Sequence, residues 1–233
     1  MSTYVYMRFL EGAPYRYDRG IRWLSWGQVA ALYQQTAEAA TDGLQAPRIL
    51  EIGCGTGNLT VALVARGAAV TAVDCNPDML AIARTKRADG AVTFHEMAGV
   101  EIGDRFPAAS FDVVAASLVF SEMSEDEQRY VLRAAHKVLR PGGRLVVADE
   151  VRPDKLWRRW LYRCARWPLA VLTYVVTQTT TSALADPGAL LSGAGFRVRA
   201  EKHLGLGSLS VLVAEKVDRA QSAAPAETQH VAG

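Results

Sequence analysis

From residue 48 onward, short apolar runs alternate with segments that have helical periodicity. The apolar runs cover residues 48–53, 69–74, 91–95, 111–117 and 144–149. Runs that consist almost wholly of Val, Ile, Leu and Ala are typical of strands buried on both faces, and helices between consecutive strands favour parallel pairing. The pattern therefore predicts an α/β fold, in which a mostly parallel sheet is covered by helices on both faces.

The segments between and after these runs complete the predicted architecture. Helices are predicted at residues 58–66, 78–86, 124–139 and 186–192, and Pro141-Gly142-Gly143 is expected to end the third of them before strand five. Two further strands, 196–203 and 208–216, have only a short turn with Gly205 and Gly207 between them, which predicts antiparallel pairing. The predicted sheet has seven strands, and the last runs antiparallel to the others.

Length and composition predict how the chain is divided. The 233 residues, half of them hydrophobic, can bury a core without a disulfide or a metal. We expect an N-terminal aromatic lid and helix at 1–47, a main domain at 48–217 with a cap inserted at 152–184, and a disordered tail at 218–233. Cys54, Cys75 and Cys164 have spacings that fit neither a disulfide framework nor a zinc site, so no bound metal is expected.

A glycine-rich loop follows the first predicted strand. Its glycines, Gly53, Gly55 and Gly57, let the backbone approach a ligand closely as the chain turns into a helix. Glu51 precedes the loop, and Asp74 ends strand two, where a carboxylate can accept hydrogen bonds from a ribose diol. The spacing differs from the dinucleotide pattern G-x-G-x-x-G, and no basic residue lies within the loop. These features favour a nucleoside without phosphates and disfavour a nicotinamide oxidoreductase.

Four motifs in this order resemble those of the class I S-adenosylmethionine-dependent methyltransferases. They are Glu51-x-Gly53-x-Gly55-x-Gly57, Val73-Asp74-x-Asn76-Pro77-x-Met79-Leu80, Phe111-Asp112-x-Val114 and Leu139-Arg140-Pro141-Gly142-Gly143. The resemblance covers most of the chain. It implies a Rossmann-like methyltransferase sheet, S-adenosyl-L-methionine as cofactor and methyl transfer as activity.

The resemblance also implies which residues contact the cofactor. The Gly53–Gly57 loop would hold its methionine and ribose parts, Asp74 its ribose hydroxyls and Ser117 its amino-acid end, with Cys75 and Met79 near the adenine. The residues assigned to the cofactor in this way are Tyr17, Glu51, Gly53, Cys54, Gly55, Gly57, Asp74, Cys75, Met79, Met97, Ala98 and Ser117.

The chain departs from the family pattern after the third strand. Many relatives have Asp-Ala there, and the Asp binds the adenine amino group, whereas this chain has Met97-Ala98. Two alternatives follow from the sequence: either the backbone of Ala98 contacts the adenine, or the carboxylate of Glu96 does.

The N-terminal segment resembles a particular branch of the family. Arg16-Tyr17-Asp18 and Leu24-Ser25-x-Gly27 are similar to the start of the ubiquinone/menaquinone C-methyltransferases, in which the Tyr-Asp pair lies over the cofactor. We predict a helix over 21–40 with Asp18 as its N-cap, although Tyr17 could equally serve only in packing. A narrower likeness, which includes Val119-Phe120-Ser121-Glu122-Met123, is to corrinoid protein-associated methyltransferases.

The candidate catalytic residues follow strands four and five, where they face the crevice of an α/β sheet. They are Glu122, Asp149 and Glu150. A general base is needed only if the acceptor is an OH, NH or CH acid; a low-valent cobalt needs none. We expect a small acceptor, apolar or ring-like, of the quinol or corrinoid type. The alternative is a non-catalytic cofactor-binding module that docks to a partner.

The insertion at 152–184 differs in charge from the rest of the chain. It holds six of the lysines and arginines against one acid, together with three of the five tryptophans. A basic helix with tryptophans is typical of a membrane interface, but a cap helix with one solvated face has the same pattern. The candidate partners for this segment are therefore an anionic membrane surface, an acidic protein, a corrinoid protein and an anionic substrate.

Overall charge and hydropathy predict the compartment. The net charge of +2 disfavours nucleic acid as a partner. The N-terminus shows no signal-peptide pattern, and the longest apolar run is about half of the roughly 20 residues that a spanning helix needs. We expect a cytoplasmic protein, with peripheral membrane association through 152–184 left open.

Overall fold

The computed structural model describes residues 28–86, 90–151, 184, 186–204 and 208–217. The helices in these residues are α1 Gln28–Thr41, α2 Asn58–Val64, α3 Pro77–Lys86, α4 Ile102–Arg105, α5 Glu125–Val138 and α6 Pro187–Gly193. The strands are β1 Arg48–Ile52, β2 Ala69–Asp74, β3 Val92–Glu96, β4 Phe111–Ser117, β5 Leu139–Glu150, β6 Phe196–Leu204 and β7 Leu209–Lys216. Two short 3₁₀ turns, Gly99–Glu101 and Phe120–Glu122, precede α4 and α5.

The seven strands form one sheet in the order β3-β2-β1-β4-β5-β7-β6. Strand β7 runs antiparallel to both of its neighbours, and the other six strands are parallel to one another. The prediction of a mostly parallel sheet whose last strand is antiparallel is thus confirmed. The chain adds β2 and β3 on one side of β1 and then crosses to β4 on the other side, so the strand order reverses between β1 and β4.

Strand β5 begins earlier than the sequence analysis predicted. We expected it to start at residue 144, after Pro141-Gly142-Gly143, but it starts at Leu139, directly after α5. Leu139 pairs with Phe111 of β4 before the register shifts. Beside this pair, the carboxylate of Asp112 on β4 forms an ion pair with Arg140 at 2.7 Å. The glycine-containing turn therefore lies at the register shift between β4 and β5, within the bounds of β5.

Alternating residues of the strands enter two hydrophobic clusters, one on each face of the sheet. On one face, Ile49 of β1 and Val113 of β4 pack with leucines of α1, α2 and α3. On the other, Leu50 and Val114 pack with apolar residues of α4, α5 and α6. This period of two is the geometry of a strand, and burial on both faces explains why the strands are apolar almost throughout.

The described part of the N-terminal region packs on the sheet. Val29 and Leu32 of α1 are buried in the same cluster as the strands. At the end of α1, the guanidinium of Arg144 on β5 donates to the carbonyls of Ala39 and Asp42, at 2.8 and 3.0 Å. These are carbonyls that a helix end leaves without an intrahelical partner. The contact joins α1 to the middle of the sheet.

Several predictions concern residues outside the described ranges. They include the helix start at residue 21, the Asp18 cap, the aromatic lid, the cap at 152–183 and the tail after residue 217. These remain predictions. In the described part of the chain, no helix is both long enough and apolar enough to cross a membrane.

Candidate cofactor site

A cavity of about 170 Å³ opens at the carboxyl ends of β1, β2 and β4. The strand order reverses between β1 and β4, and in open α/β sheets ligands bind in the crevice at such a reversal. The cavity brings together nine residues predicted from the sequence: Glu51, Gly53, Cys54, Gly55, Asp74, Cys75, Met79, Ser117 and Glu122. Distant parts of the chain, from residue 51 to residue 122, therefore converge on one cleft.

Other predicted residues lie away from this cleft. Gly57, Met97, Ala98, Asp149 and Glu150 do not line the cavity, and Tyr17 is outside the described residues. The sequence analysis also missed lining residues, which are Tyr33, Thr56, Asn58, Leu59, Asn76, Leu118 and Val119. Most of these neighbour a predicted residue in sequence. Tyr33 does not, and the helical pattern of α1 carried no signal for its position.

The three glycines of the loop lie in different surroundings, so each position favours glycine for a different reason. Gly53 has a φ of 67°, and a Cβ built on it would lie 2.5 Å from Cγ2 of Val119, so the loop after β4 packs directly on its backbone. A Cβ on Gly55 would meet nothing within 4 Å, which is consistent with space left for a ligand. Gly57 instead packs on α3, where its Cβ would lie 3.0 Å from the Cβ of Ala83.

Asp74 connects the glycine loop to the end of β2. One carboxylate oxygen accepts the N–H of Gly55 at 2.7 Å, and the other accepts the N–H of Asn76 at 2.9 Å. Each carboxylate oxygen has a further lone pair, and the side chain lines the cavity. Asp74 can therefore accept hydroxyl hydrogen bonds from a ligand without releasing the loop.

Glu51 lies beneath the loop and is almost fully buried, with 1% of its surface exposed. Burial raises the pKa of Glu51 from the ordinary 4.5 to about 8. The hydrogen bond that the Thr60 hydroxyl donates at 2.6 Å lowers this pKa, whereas the nearby charge of Asp74 raises it further. At neutral pH the protonated form therefore predominates. Burial likewise raises the pKa of the neighbouring Cys54 thiol, which makes that cysteine a poor nucleophile.

Ser117 supplies an unsatisfied polar atom at the end of β4. Its side chain is 9% exposed and lines the cavity, yet its Oγ has no hydrogen-bond partner among the described residues. A buried hydroxyl without a partner costs about 1–3 kcal/mol. A ligand in the cavity that hydrogen-bonds this oxygen would remove that cost.

The chain after β3 makes local contacts. The Met97 side chain packs with the hydrophobic cluster on the α5 face of the sheet. The N–H of Ala98 donates to the carboxylate of Glu101 at 2.7 Å, and Glu96 is exposed at the end of β3. These contacts do not test whether the Ala98 backbone or the Glu96 carboxylate contacts the adenine. The Ala98 N–H, however, already donates to the Glu101 carboxylate.

The three candidate catalytic carboxylates have different environments. Glu122 is exposed at the cavity, on the turn before α5. Asp149 is fully buried, and its two oxygens accept the N–H groups of Ser121 and Glu150, at 3.1 and 2.7 Å. Burial raises the pKa of Asp149 from 3.8 to about 6. Asp149 thus anchors the turn that carries Glu122, while Glu150 is buried next to it on β5.

Acidic groups determine the charge of the cavity. Asp74 and Glu122 line it together with the mostly protonated Glu51, and the described residues place no lysine or arginine in its lining. Such a site favours a cationic ligand and disfavours a phosphate group. Within the described ranges no cluster of His, Cys, Asp or Glu could hold a metal ion.

Comparisons with known proteins agree with this fold. Residues 49–143 match the family described as a methyltransferase domain. An uncharacterized methyltransferase from Synechocystis is 32% identical over 171 residues, which cover 72% of this chain and 74% of that protein. A demethylmenaquinone methyltransferase from Thermus thermophilus is 32% identical over 209 residues, which cover 83% of this chain and 93% of the relative.

A solved structure has the same fold. It is a SAM-dependent methyltransferase from Methanosarcina mazei, with a TM-score of 0.59, 23% identity and coverage of 75% of this chain and 94% of that one. The chain therefore belongs to the class I S-adenosylmethionine-dependent methyltransferases, and it is similar to the branch that acts in quinone synthesis. Its cofactor is S-adenosylmethionine. An orphaned hydroxyl, an acidic lining and an open space above Gly55 all fit that cofactor.

The raised pKa of Glu51 predicts how stability depends on pH. Because the folded state binds this proton more tightly than the unfolded state, the contribution of Glu51 is fully present below about pH 4.5 and is lost as the pH rises towards about 8. The contribution of Asp149 to stability also falls as the pH rises, between about pH 4 and about pH 6. Urea denaturation of the protein without cofactor should therefore give a higher free energy of unfolding at pH 5 than at pH 8.

Substitution of Glu51 tests whether this residue causes the difference in stability between pH 5 and pH 8. Glu51→Gln should reduce the difference between the two pH values, because the amide does not ionise. Glu38→Gln, which removes an exposed carboxyl from α1, is the matched control and should keep the wild-type difference. If Glu51→Gln also keeps the full difference, the burial argument for Glu51 is wrong.

Proposed function

We propose that the protein transfers the methyl group of S-adenosyl-L-methionine to a small ring-like acceptor of the quinol type. The observation that carries this proposal is the similarity to the T. thermophilus demethylmenaquinone methyltransferase, since the alignment covers 93% of that protein. A corrinoid, which the narrower resemblance of the sequence implies, is the comparison acceptor in the assay below.

The cofactor is held, in this proposal, by three groups of the cavity. Asp74 accepts hydrogen bonds from the ribose hydroxyls, and its contact with the Gly55 N–H keeps the loop in place. Ser117 donates from its orphaned hydroxyl to the amino-acid end. Glu51 also lines the cavity, and a cationic group bound there would favour ionisation of its carboxyl, which is mostly protonated without a ligand.

The bound cofactor supplies an electrophilic methyl group on a sulfonium whose leaving group is neutral. The chain therefore has to align the acceptor and exclude water, and orientation alone can contribute several kcal/mol, up to about 7–11 in ideal cases. Val119 and Tyr33 form apolar parts of the cavity wall. Asp149 fixes the wall on the β4 side, because it holds the backbone of Ser121.

A proton must leave if the acceptor is a phenol or a carbon acid. Glu122 is the best placed of the three candidate carboxylates, since it is exposed and lines the cavity. Asp149 serves as a positioning residue for the turn, because backbone N–H groups occupy both of its oxygens. Glu150 is buried and does not line the cavity.

Asp74→Ala tests the cofactor assignment. It should weaken S-adenosylmethionine binding by about tenfold or more, which corresponds to the loss of a charge-assisted hydrogen bond of roughly 1.5–3 kcal/mol. Calorimetric titration measures the affinity. Asp78→Ala removes an exposed carboxylate four residues further on, in the first turn of α3, and should bind like the wild type. Equal affinities of Asp74→Ala and the wild type would contradict the assignment.

Turnover with defined acceptors tests the function. With S-adenosylmethionine and a reduced demethylmenaquinone analogue, we expect S-adenosylhomocysteine and methylated product to form in equal amounts. Glu122→Gln should lower kcat by about 10²–10⁴-fold if Glu122 is the base, and Glu125→Gln, on the exposed first turn of α5, should not. Methylation of a reduced corrinoid but of no quinol would overturn the acceptor proposed here.

A further inference from the structure

A second concave surface lies at the edge of the sheet opposite the cofactor cavity. It has a volume of about 860 Å³ and is formed where α5 and α6 end, β6 begins and β7 ends. The cofactor cavity lies at the carboxyl ends of the parallel strands, whereas Phe196 of β6 pairs with Lys216 of β7 at the amino edge. The two concave surfaces are therefore separated by the length of the strands.

The charge of this second surface is wholly positive among the described residues that line it. Arg133, Arg197 and Lys216 carry full charges, His136 lies between them, and no acidic side chain is in the lining. We call these four residues and the cleft between them the basic groove. The chain as a whole has a net charge of only +2, so this concentration is local.

The two arginines of the basic groove have no partner within the described part of the chain. The arginines next to them on α5 and β6 are paired: Arg129 with Glu125, and Arg199 with Glu215. Arg133 and Arg197, in contrast, make neither a hydrogen bond nor an ion pair there. Glu215 lies opposite Arg197 in the strand register but is engaged by Arg199.

The floor of the groove is well ordered by packing. The His136 ring meets Phe196 edge to face, with the ring centroids 5.3 Å apart, and its Nε2 lies 3.3 Å from the carbonyl oxygen of Val217. The ammonium of Lys216 donates to the carbonyl of Leu139 at 2.7 Å, which holds it at the groove. His136 and Lys216 are thus held by contacts within the chain, whereas the guanidinium groups of Arg133 and Arg197 are exposed.

The end of α5 explains only part of this arrangement. A helix C-terminus is stabilised by nearby cations, which accounts for His136 in the last turn of α5. Arg133 precedes that turn, Arg197 lies on β6 and Lys216 lies on β7.

We propose that the basic groove binds a small polyanion with two or more phosphate groups, at a site separate from the cofactor cavity. Guanidinium groups match phosphate oxygens through paired N–H donors. The volume lies in the range of small-molecule pockets, about 300–1,000 Å³. The proposal does not rest on the acceptor or on the roles assigned in the cofactor cavity.

Titration calorimetry with sodium tripolyphosphate tests this proposal on the full chain. At about 150 mM salt, where bulk charge is screened, the wild type should bind at one saturable site. The double variant Arg133→Ala/Arg197→Ala should lose about tenfold or more of that affinity, because both guanidinium contacts are removed. Arg129→Ala removes a paired arginine one turn earlier on α5, and it should bind tripolyphosphate as the wild type does.

Each other outcome counts against the basic groove as a site. No saturable binding by the wild type would overturn it. Equal losses in Arg129→Ala and in the double variant would show attraction by general charge. Full affinity in the double variant would place the anion elsewhere. S-adenosylmethionine affinity, measured in the same variants, should be unchanged; this shows that they are folded and keeps the result separate from the proposed function.

Discussion

The carboxylate of Asp74 is the contact on which the geometry of the cofactor site depends. It accepts one N–H from the glycine loop after β1 and one from the turn after β2. Backbone hydrogen bonds from the N–H groups of Gly53 and Cys54 to the carbonyl of Val73 attach the start of the loop to β2. Asp74 extends this attachment to Gly55, the residue above which the cleft is open.

The acidic residues around the cleft differ in how far they are buried, and this difference gives them different roles. Glu51 is buried and mostly protonated near neutral pH. Asp74 is half-buried and hydrogen-bonded, and Glu122 is exposed. Asp149, on the next strand, is fully buried and holds the turn that presents Glu122. An acidic cleft with an orphaned hydroxyl is suited to a cationic nucleoside, and Leu59, Met79, Leu118 and Val119 form apolar parts of its wall.

Sequence patterns predicted most of the fold, because burial on both faces leaves a clear apolar run. The bounds of β2 and β4 were predicted to the residue. The start of β5 was not, since Leu139 pairs with Phe111 of β4 before a shift in register, and the apolar pattern does not record that contact. The family motifs and the positions that follow strands indicated nine residues of the cleft. Tyr33 could not be found, because the periodicity of a helix shows its buried face and not which residue reaches a cleft.

Asp149 shows a second limit of sequence reasoning. Its position after a strand made it a candidate base, but its role depends on the N–H groups it accepts, and one of these comes from a turn 28 residues away. Met97 and Ala98 were placed by resemblance, whereas their contacts in the fold are with a hydrophobic cluster and with Glu101. Hydrogen-bond partners across the sheet are set by tertiary structure, which no local pattern records.

A crystal structure of the complex with S-adenosylhomocysteine tests the central claim most directly. We expect the ribose hydroxyls to be hydrogen-bonded to Asp74, with the Gly55 N–H still bound to that carboxylate. We also expect the amino-acid end to lie against the hydroxyl of Ser117. A ligand bound elsewhere, or a ribose that makes no contact with Asp74, would contradict it.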